Sequence, residues 1–264
     1  MTQADRKEEL FLQKRALETQ KNAFYRKQPQ FFGFLDLNEQ NILCNLPKEP
    51  EVEVLLYGGF PTAERKMAGF FPVERVDLQQ KEAIFPIELI RVLPKHPKFA
   101  QKLSHRDFLG AVMNLGVERS QVGDLIVKES EQSVEAYIYV TKLTSELIRK
   151  ELTKVRNTNV ICELCDFLQV SGRIGHNMEE MTISISSERI DGIIGHVFHL
   201  SRSQTSELFR AEKVYRNSKV LTSPDKTVND GDVISVRGYG KFRYDGECYQ
   251  NKKGKLVVKI SKYI

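Results

Sequence analysis

The segment 189–217 carries the side chains best suited to chemistry in this chain, and that chemistry is anion binding. Arg202 directly follows Ser201, a predicted helix N-cap, where free N–H groups and the positive end of the helix dipole favour an anion. Further cations surround a predicted turn at residues 217–218, namely Lys213, Arg216 and Lys219. A cationic edge built from ordered elements suits the phosphate backbone of a nucleic acid.

Two predicted helices must position these side chains. In the first helix, apolar residues recur at the i, i+3, i+4, i+7 spacing of a single face: Ile190, Ile193, Ile194, Val197 and Phe198. Leu200 closes this helix. Ser201 begins the second helix, and Gln204 stands three residues later, as in a capping box. The pattern thus predicts two short helices followed by a strand.

The positive charge of the chain is concentrated in the same region. The 264 residues include 40 Lys+Arg and 35 Asp+Glu, a net charge of +5. Residues 182–264 hold 15 basic and 9 acidic residues, a net of +6, which leaves −1 for residues 1–181. Such local concentration is the electrostatic footprint of nucleic-acid binding, although a solvated basic surface has the same composition.

The overall composition is that of a soluble globular protein, with 41% hydrophobic and 28% charged residues. No apolar run approaches the ~18 residues that a membrane span needs. The charged N-terminal sequence MTQADRKEEL lacks the apolar core of a signal peptide. We therefore expect a cytoplasmic protein that has no membrane partner.

Four cysteines include one CxxC motif, formed by Cys162 and Cys165. The motif lies in the apolar alternation NVICELCDFLQV, which predicts a strand, and a spacing of three in a strand points the thiols to opposite faces. No second CxxC or Cys/His pair completes a zinc site, and the histidines show no HExxH spacing. The sequence therefore predicts neither a metal site nor a cofactor.

Patterning predicts an α+β protein of three small domains. Residues 1–80 are expected to form a mixed α/β N-terminal domain, residues 84–168 a middle domain, residues 169–181 a connector and residues 182–264 a C-terminal domain. The middle domain shows the order strand, helix, strand, strand, helix, strand, which is the ferredoxin-like βαββαβ unit. That fold hosts many functions and assigns none by itself.

Periodicity and capping signals place the individual elements. Helices are expected over 5–27, 38–46, 104–115 and 144–156, in addition to the two described above. Strands are expected over 52–57, 87–93, 124–127, 135–140, 160–167, 181–186, 219–221, 233–237 and 256–260. Ser104 and Asp107 form a capping box at the start of one helix. The C-terminal domain is thus two helices on a small, mostly antiparallel sheet.

The C-terminal domain resembles the RNA-binding S-four family, which is named after a small-subunit ribosomal protein. The family pattern has Arg-Leu-Asp, then Ser-Arg-Ser, then a basic or Gly residue before a Val-x-Val-Asn-Gly hairpin, and then Gly-Asp-x-Ile. The matching residues are Arg189, Asp191, Ser201, Arg202, Ser203, Lys213, Asn217, Gly231 and Asp232. Ile190 replaces the usual Leu, and Ser218 replaces the usual Gly, so the hairpin turn is expected to differ.

Three further segments are similar to the bacterial YlmH-type proteins: RGYGKF at Arg237–Phe242, YGGFPTAERK at Tyr57–Lys66, and SHRDFLGAVMNLG with GDLIV at 104–127. The resemblance covers nearly the whole chain and implies an N-terminal, a ferredoxin-like and an S-four domain. It also implies a non-enzymatic RNA-binding protein that acts on the large ribosomal subunit in rescue or quality control of stalled translation. Its ligands would be ribosomal RNA and peptidyl-tRNA, and we expect a monomer.

The expected RNA contacts divide by their chemistry. Five cations supply charge: Arg189, Arg202, Lys213, Arg216 and Lys219. Four polar side chains supply hydrogen bonds: Ser201, Ser203, Gln204 and Asn217. Lys241 and Arg243, beside a predicted turn at Gly238 and Gly240, extend the cationic surface. Contacts of this kind position a protein on a folded RNA more than they read its bases.

His105-Arg106-Asp107 is similar to a kinase catalytic loop, but no Gly-rich phosphate loop or DFG triplet accompanies it, and a helix start explains it.

Two other classes of function are open alternatives, and the first is an RNA-modifying enzyme of the pseudouridine-synthase type. Pseudouridine synthases often carry S-four domains, yet the run at 172–174 is followed by Gly175 where a catalytic Asp is needed. Asp191 lies inside a predicted helix, where it packs or caps. The second class is a cell-division-associated scaffold, with residues 1–80 as its contact surface.

Overall fold

The computed structural model describes residues 3–73, 78–129, 134–166, 178–252 and 254–264. Within these ranges the protein is a mixed α+β fold with seven α-helices and three antiparallel sheets. The chain divides into two compact units, Met1–Gly175 and His176–Ile264. The α+β class is confirmed, whereas the three-domain division at its predicted boundaries stays a prediction. Most of the predicted connector, residues 169–177, lies outside the described residues.

The first unit begins with a long helix packed on a small sheet. Its elements are α1 (Gln3–Arg26), β1 (Gln30–Leu35), α2 (Leu37–Cys44), β2 (Val52–Tyr57), β3 (Lys66–Pro72) and α3 (Leu78–Ile84). The strands pair antiparallel in the order β1-β3-β2. Ala16 and Ala23 of α1 are buried in a cluster with apolar side chains of the sheet. Both predicted helices and the strand over 52–57 are confirmed, although α2 ends at Cys44 rather than at Leu46.

A five-stranded antiparallel sheet follows in the same unit. Its elements are β4 (Ile87–Pro94), α4 (His105–Met113), β5 (Val122–Glu129), β6 (Val134–Thr141), α5 (Lys142–Glu151), β7 (Lys154–Val155) and β8 (Thr158–Cys165). The strand order is β5-β6-β4-β8-β7. Phe108, Val112 and Ile148 of the two helices are buried in one cluster with the sheet. The predicted order of strand, helix, strand, strand, helix, strand is confirmed, with β7 as an additional strand.

Helix α5 is shorter than predicted, because the chain turns back after Glu151. Leu152 ends the helix, and Val155 pairs with Thr158 in a short hairpin, so the expected continuation to residue 156 is wrong. Leu152 and Val155 are nonetheless buried, whereas Leu147 is 39% exposed.

The two cysteines of the CxxC motif lie on opposite faces of β8, as predicted. Cys162 packs against the cluster that contains Phe108, and its thiol donates to the Leu152 carbonyl oxygen at 3.4 Å. Cys165 packs against a different cluster on the other face. Burial raises the pKa of the Cys162 thiol to about 11. In the part of the chain that the structure describes, no group of three or more metal-ligating side chains could hold an ion.

The second unit is a six-stranded antiparallel sheet with two helices on one face. Its elements are β9 (Met178–Ile185), α6 (Ile190–Phe198), α7 (Arg202–Arg210), β10 (Val214–Arg216), β11 (Lys219–Val220), β12 (Val233–Val236), β13 (Gly240–Gln250) and β14 (Leu256–Tyr263). The strand order is β11-β10-β12-β13-β14-β9. The predicted helices, sheet and glycine turn before β13 are confirmed. Strand β9 begins three residues before residue 181, and β13 was not predicted.

Candidate nucleic-acid interface

Helices α6 and α7 hold the predicted contact residues against the sheet. Four residues of α6 are buried on a single face: Ile190, Ile193, Ile194 and Val197. Leu208 and Phe209 of α7 join the same cluster, which also contains apolar side chains of the sheet. Because residues three and four apart share one helix face, the polar residues of α7 other than the buried Thr205 are left on its outer side. The buried faces therefore fix which side chains meet solvent.

A tight connection between the two helices places Ser201 at the start of α7. Helix α6 ends at Phe198, and His199 follows in a left-handed backbone conformation with φ of 55°. Leu200, predicted to close α6, lies beyond this cap, and its amide donates to the Gly195 carbonyl at 2.9 Å. A Cβ on Gly195 would lie 3.2 Å from the Leu200 carbonyl oxygen, so glycine keeps the connection short.

The start of α7 is held by its own polar side chains. Ser201 Oγ accepts a hydrogen bond from the Gln204 amide at 3.3 Å, and Gln204 Oε1 accepts one from the Ser201 amide at 2.9 Å. The predicted capping box is thus confirmed. Ser203 Oγ lies 3.0 Å from Ser201 Oγ. Arg202 stands among these three residues, is exposed, and has no ion-pair partner among the described residues.

A surface cleft of about 640 Å³ lies beside this helix start. Its lining includes Arg189, Asp191, His196, Arg202 and Ser206. Guanidinium and hydroxyl groups donate hydrogen bonds to phosphate oxygens, and arginine does so with charge assistance. Two of the predicted cations, Arg189 and Arg202, are therefore brought to the same cleft.

Arg189 forms an ion pair with a neighbouring carboxylate, that of Asp191. Its Nε and Nη2 atoms donate to the two oxygens of Asp191 at 3.2 and 2.8 Å. Hydrogen bonds from Arg189 lower the pKa of Asp191, which also accepts from the Gly192 amide at 2.8 Å. Asp191 thus lies in the first turn of α6, held by Arg189 and by the Gly192 amide. The Arg189 side chain remains half exposed, but the pair carries no net charge.

Arg216 and Asn217 belong to a partly buried network around Asp232. Arg216 Nη2 lies 2.7 Å from Asp232 Oδ2, and Asn217 Nδ2 donates to Asp232 Oδ1 at 2.8 Å. Asn217 Oδ1 accepts from the Val233 amide at 2.9 Å, and Arg216 Nη1 donates to the Thr227 carbonyl at 3.1 Å. These contacts hold the β10–β11 turn on β12, where Asn217 and Ser218 both have positive φ. Their predicted RNA contacts remain untested, but their polar atoms are already engaged in the fold.

The remaining predicted cations have different surroundings. Lys213 precedes β10, is exposed, and has no ion-pair partner in the described ranges. Lys219 is exposed in β11. Lys241 Nζ lies 4.4 Å from the centre of the Tyr263 ring, whereas Arg243 pairs with Asp245. Arg202 and Lys213 are thus exposed and available to an anionic ligand.

Two exposed arginines of the same unit were missed from the sequence. Arg210 is exposed and lies two turns after Arg202, with Ser206 between them, so helical spacing was the signal that could have found it. Arg237 is exposed after β12, and its guanidinium lies 4.8 Å from the centre of the Tyr215 ring. Arginine stacked on an aromatic ring can also stack on a nucleotide base.

The residues that were similar to a kinase loop form a helix start instead. Ser104 caps α4, and its amide and Oγ both donate to Asp107 Oδ2, at 2.8 and 2.7 Å. Hydrogen bonds from Ser104 lower the pKa of Asp107, and Arg156 lies 3.5 Å from its other oxygen. Asp107 is thus held as a cap.

None of the helices within the described ranges has the length and apolar composition of a membrane span.

Comparisons with known proteins agree with a nucleic-acid interpretation of part of the chain. Residues 81–169 match the family model described as "Putative RNA-binding domain in YlmH". The chain is 28% identical over 256 residues to the "Ribosome-associated protein quality control protein P2" of Bacillus subtilis (strain 168), covering 96% of this chain and 95% of the relative. A solved structure, "Cell division protein ylmH from Streptococcus pneumoniae", is 22% identical with a TM-score of 0.48, covering 64% of this chain and 95% of that one.

Proposed function

We propose that this protein is a non-enzymatic RNA-binding protein that acts on the ribosome in translation quality control. The observation that carries the proposal is the exposed cationic edge of the second unit, where Arg202 and Lys213 lie free of ion pairs in the described residues. The capping box of Ser201 and Gln204 fixes the backbone at the start of α7, and so the point from which the Arg202 side chain reaches an anion. Exposed cations carried by an ordered element suit a phosphate backbone.

Two comparisons support the same function. The Bacillus subtilis relative is named as a ribosome-associated quality control protein and aligns over almost all of both chains. The family model that matches residues 81–169 is described as RNA-binding. We extend this to a YlmH-type architecture, with a ferredoxin-like middle domain and an S-four domain at 182–264. The ligands would be ribosomal RNA and peptidyl-tRNA on the large subunit, bound by a cytoplasmic monomer.

The predicted site residues divide into two roles under this proposal. Arg202 and Lys213 contact phosphates directly, and the unpredicted Arg210 and Arg237 extend the contact. Four other predicted residues support the surface, because their polar groups are engaged within the fold: Ser201, Gln204, Arg216 and Asn217. Phosphate contacts of this kind set the position on a folded RNA rather than the base sequence that is read.

Co-sedimentation with purified ribosomal subunits tests the proposal. The full chain should travel with large subunits through a sucrose gradient at moderate salt and should leave them at high salt, because phosphate contacts release counterions. Replacing Arg202 and Lys213 together by Gln should move most of the protein to the top of the gradient. A chain that stays at the top in low salt, with or without these substitutions, would refute ribosome binding.

A further inference from the structure

The first unit contains a run of cationic residues, although its net charge is close to zero. Residues 89–106 include no Asp or Glu but five cations: Arg91, Lys95, Lys98, Lys102 and Arg106. Lys95, Lys98 and Lys102 lie in the loop between β4 and α4, and Arg106 lies in the first turn of α4. The run lies within residues 81–169, the segment matched by the RNA-binding family model.

The fold brings a second group of cations to the same loop. The Lys95 amide donates to the Asn159 carbonyl at 2.9 Å, and the Gln101 amide lies 3.3 Å from Thr158 Oγ1. These contacts join the loop to the β7–β8 hairpin, which carries Lys154 and Arg156. Arg156, at the tip, has a φ of 51°, which is uncommon for a residue with a side chain. Cations that are 50–60 positions apart in sequence therefore lie at one end of the sheet.

We define the loop-end patch as Lys95, Lys98, Arg106, Lys154 and Arg156. All five are exposed. Arg156 lies 3.5 Å from Asp107, but the other four have no ion-pair partner within the described residues. A surface cavity of about 520 Å³ adjoins the patch and is lined in part by its two arginines and Lys154. Nearby Lys102 is excluded from the patch, because it pairs with Glu129 at 3.1 Å.

We propose that the loop-end patch is a second RNA-binding surface, which contacts backbone phosphates independently of α7; the proposal rests on the function proposed above. Exposed cations, four of them without an ion-pair partner in the described residues, are the electrostatic footprint of a phosphate contact. Three of the five are lysines, which are depleted at the centres of protein interfaces, so RNA is favoured over a protein partner. A chain with two RNA surfaces binds a large RNA with the avidity of a bivalent ligand.

The test compares two triple variants of the full chain. The patch variant is Lys95→Gln, Lys98→Gln and Lys154→Gln. The control variant is K14Q, K48Q and K142Q, which removes the same charge from exposed positions elsewhere in the first unit. Each is titrated with salt while binding to protein-free ribosomal RNA from the large subunit. The patch variant should lose about 2–3 from the slope of log K against log salt, at ~0.7–0.9 per phosphate contact, whereas the control should match the parent chain.

Three further measurements separate this proposal from the proposed function. If the patch variant binds RNA like the control while R202Q/K213Q binds weakly, the patch is refuted and the function stands. If all variants bind like the parent chain, both are refuted. If the patch variant binds intact subunits weakly but protein-free RNA normally, the patch contacts a ribosomal protein, and the RNA proposal is overturned. Ultraviolet cross-linking should attach RNA to the peptide around Lys98 in the parent chain. Absence of that cross-link would count against the patch.

Discussion

Replacing Arg216 by Ala should lower the stability of the fold, whereas replacing Arg202 by Ala should weaken RNA binding, although the sequence predicted an RNA contact for both. Arg216 donates to Asp232 at 2.7 Å, its side chain is 24% exposed, and that of Asp232 is 6% exposed. Removing one partner of a buried ion pair costs about 3–5 kcal/mol. Asp232 would keep its bonds from Asn217 and from the Asn229 amide, so we expect about 2 kcal/mol for Arg216→Ala. Arg202→Ala should change stability by less than about 0.5 kcal/mol, because its side chain is exposed.

Hydrogen exchange measured by mass spectrometry on the full chain separates the two outcomes. A loss of about 2 kcal/mol makes exchange roughly thirtyfold faster for the protected amides of β12, since 1.4 kcal/mol is a factor of ten. Arg202→Ala should leave this exchange unchanged and should weaken binding to ribosomal RNA. Unchanged exchange in Arg216→Ala, or accelerated exchange in Arg202→Ala, would show that the structure assigns these roles wrongly.

Three other predictions follow from local geometry. The Cys162 thiol, whose pKa is raised to about 11 by burial, should react with iodoacetamide at pH 8 at least about a hundredfold more slowly than the exposed cysteines; equal labelling in a mass spectrum would contradict this. Gly195→Ala should destabilise the second unit by about 1 kcal/mol in urea unfolding, whereas Gly192→Ala, whose Cβ meets nothing within 4 Å, should not; equal midpoints would refute the close approach. Hydrogen bonds from Arg189 lower the pKa of Asp191, so the ionised carboxylate stabilises the fold above its unfolded-state pKa, and this effect is lost as the pH falls through the lower folded-state pKa. Asp191→Asn should therefore make stability depend less on pH below about pH 4, and an acid unfolding curve identical to that of the parent chain would argue against this.

Local signals explain which parts of the fold could be predicted. The capping box of Ser201 and Gln204 and the apolar face of α6 each depend on residues that are close together in sequence, and both predictions are confirmed. Strand β13 was missed because Gly240 and Gly246 indicate turns, whereas Gly246 lies at an irregularity in the pairing with β14 and has a φ of 91°. Helix α5 was extended too far, because Val155 keeps a helical spacing while lying in a strand.

The site shows a sharper limit of sequence reasoning. Charge counts identified the cationic unit, but they could not separate paired cations from free ones, because the pairing is not local. Arg216 meets Asp232 sixteen positions away, and no spacing rule indicates that contact. For the same reason, a net of −1 for residues 1–181 concealed the loop-end patch, whose cations come from two separate segments. Only the fold shows which charges remain available to a ligand.

A salt titration of binding to ribosomal RNA of the large subunit tests the central claim most directly. The full chain is compared with R202Q/K213Q and with K252Q/K255Q, a control that removes two exposed lysines from the β13–β14 turn of the same unit. We predict that R202Q/K213Q binds more weakly and loses about 1.4–1.8 from the slope of log K against log salt, while the control keeps the parent slope. An unchanged slope for R202Q/K213Q would remove α7 and its following turn from the interface and contradict the account.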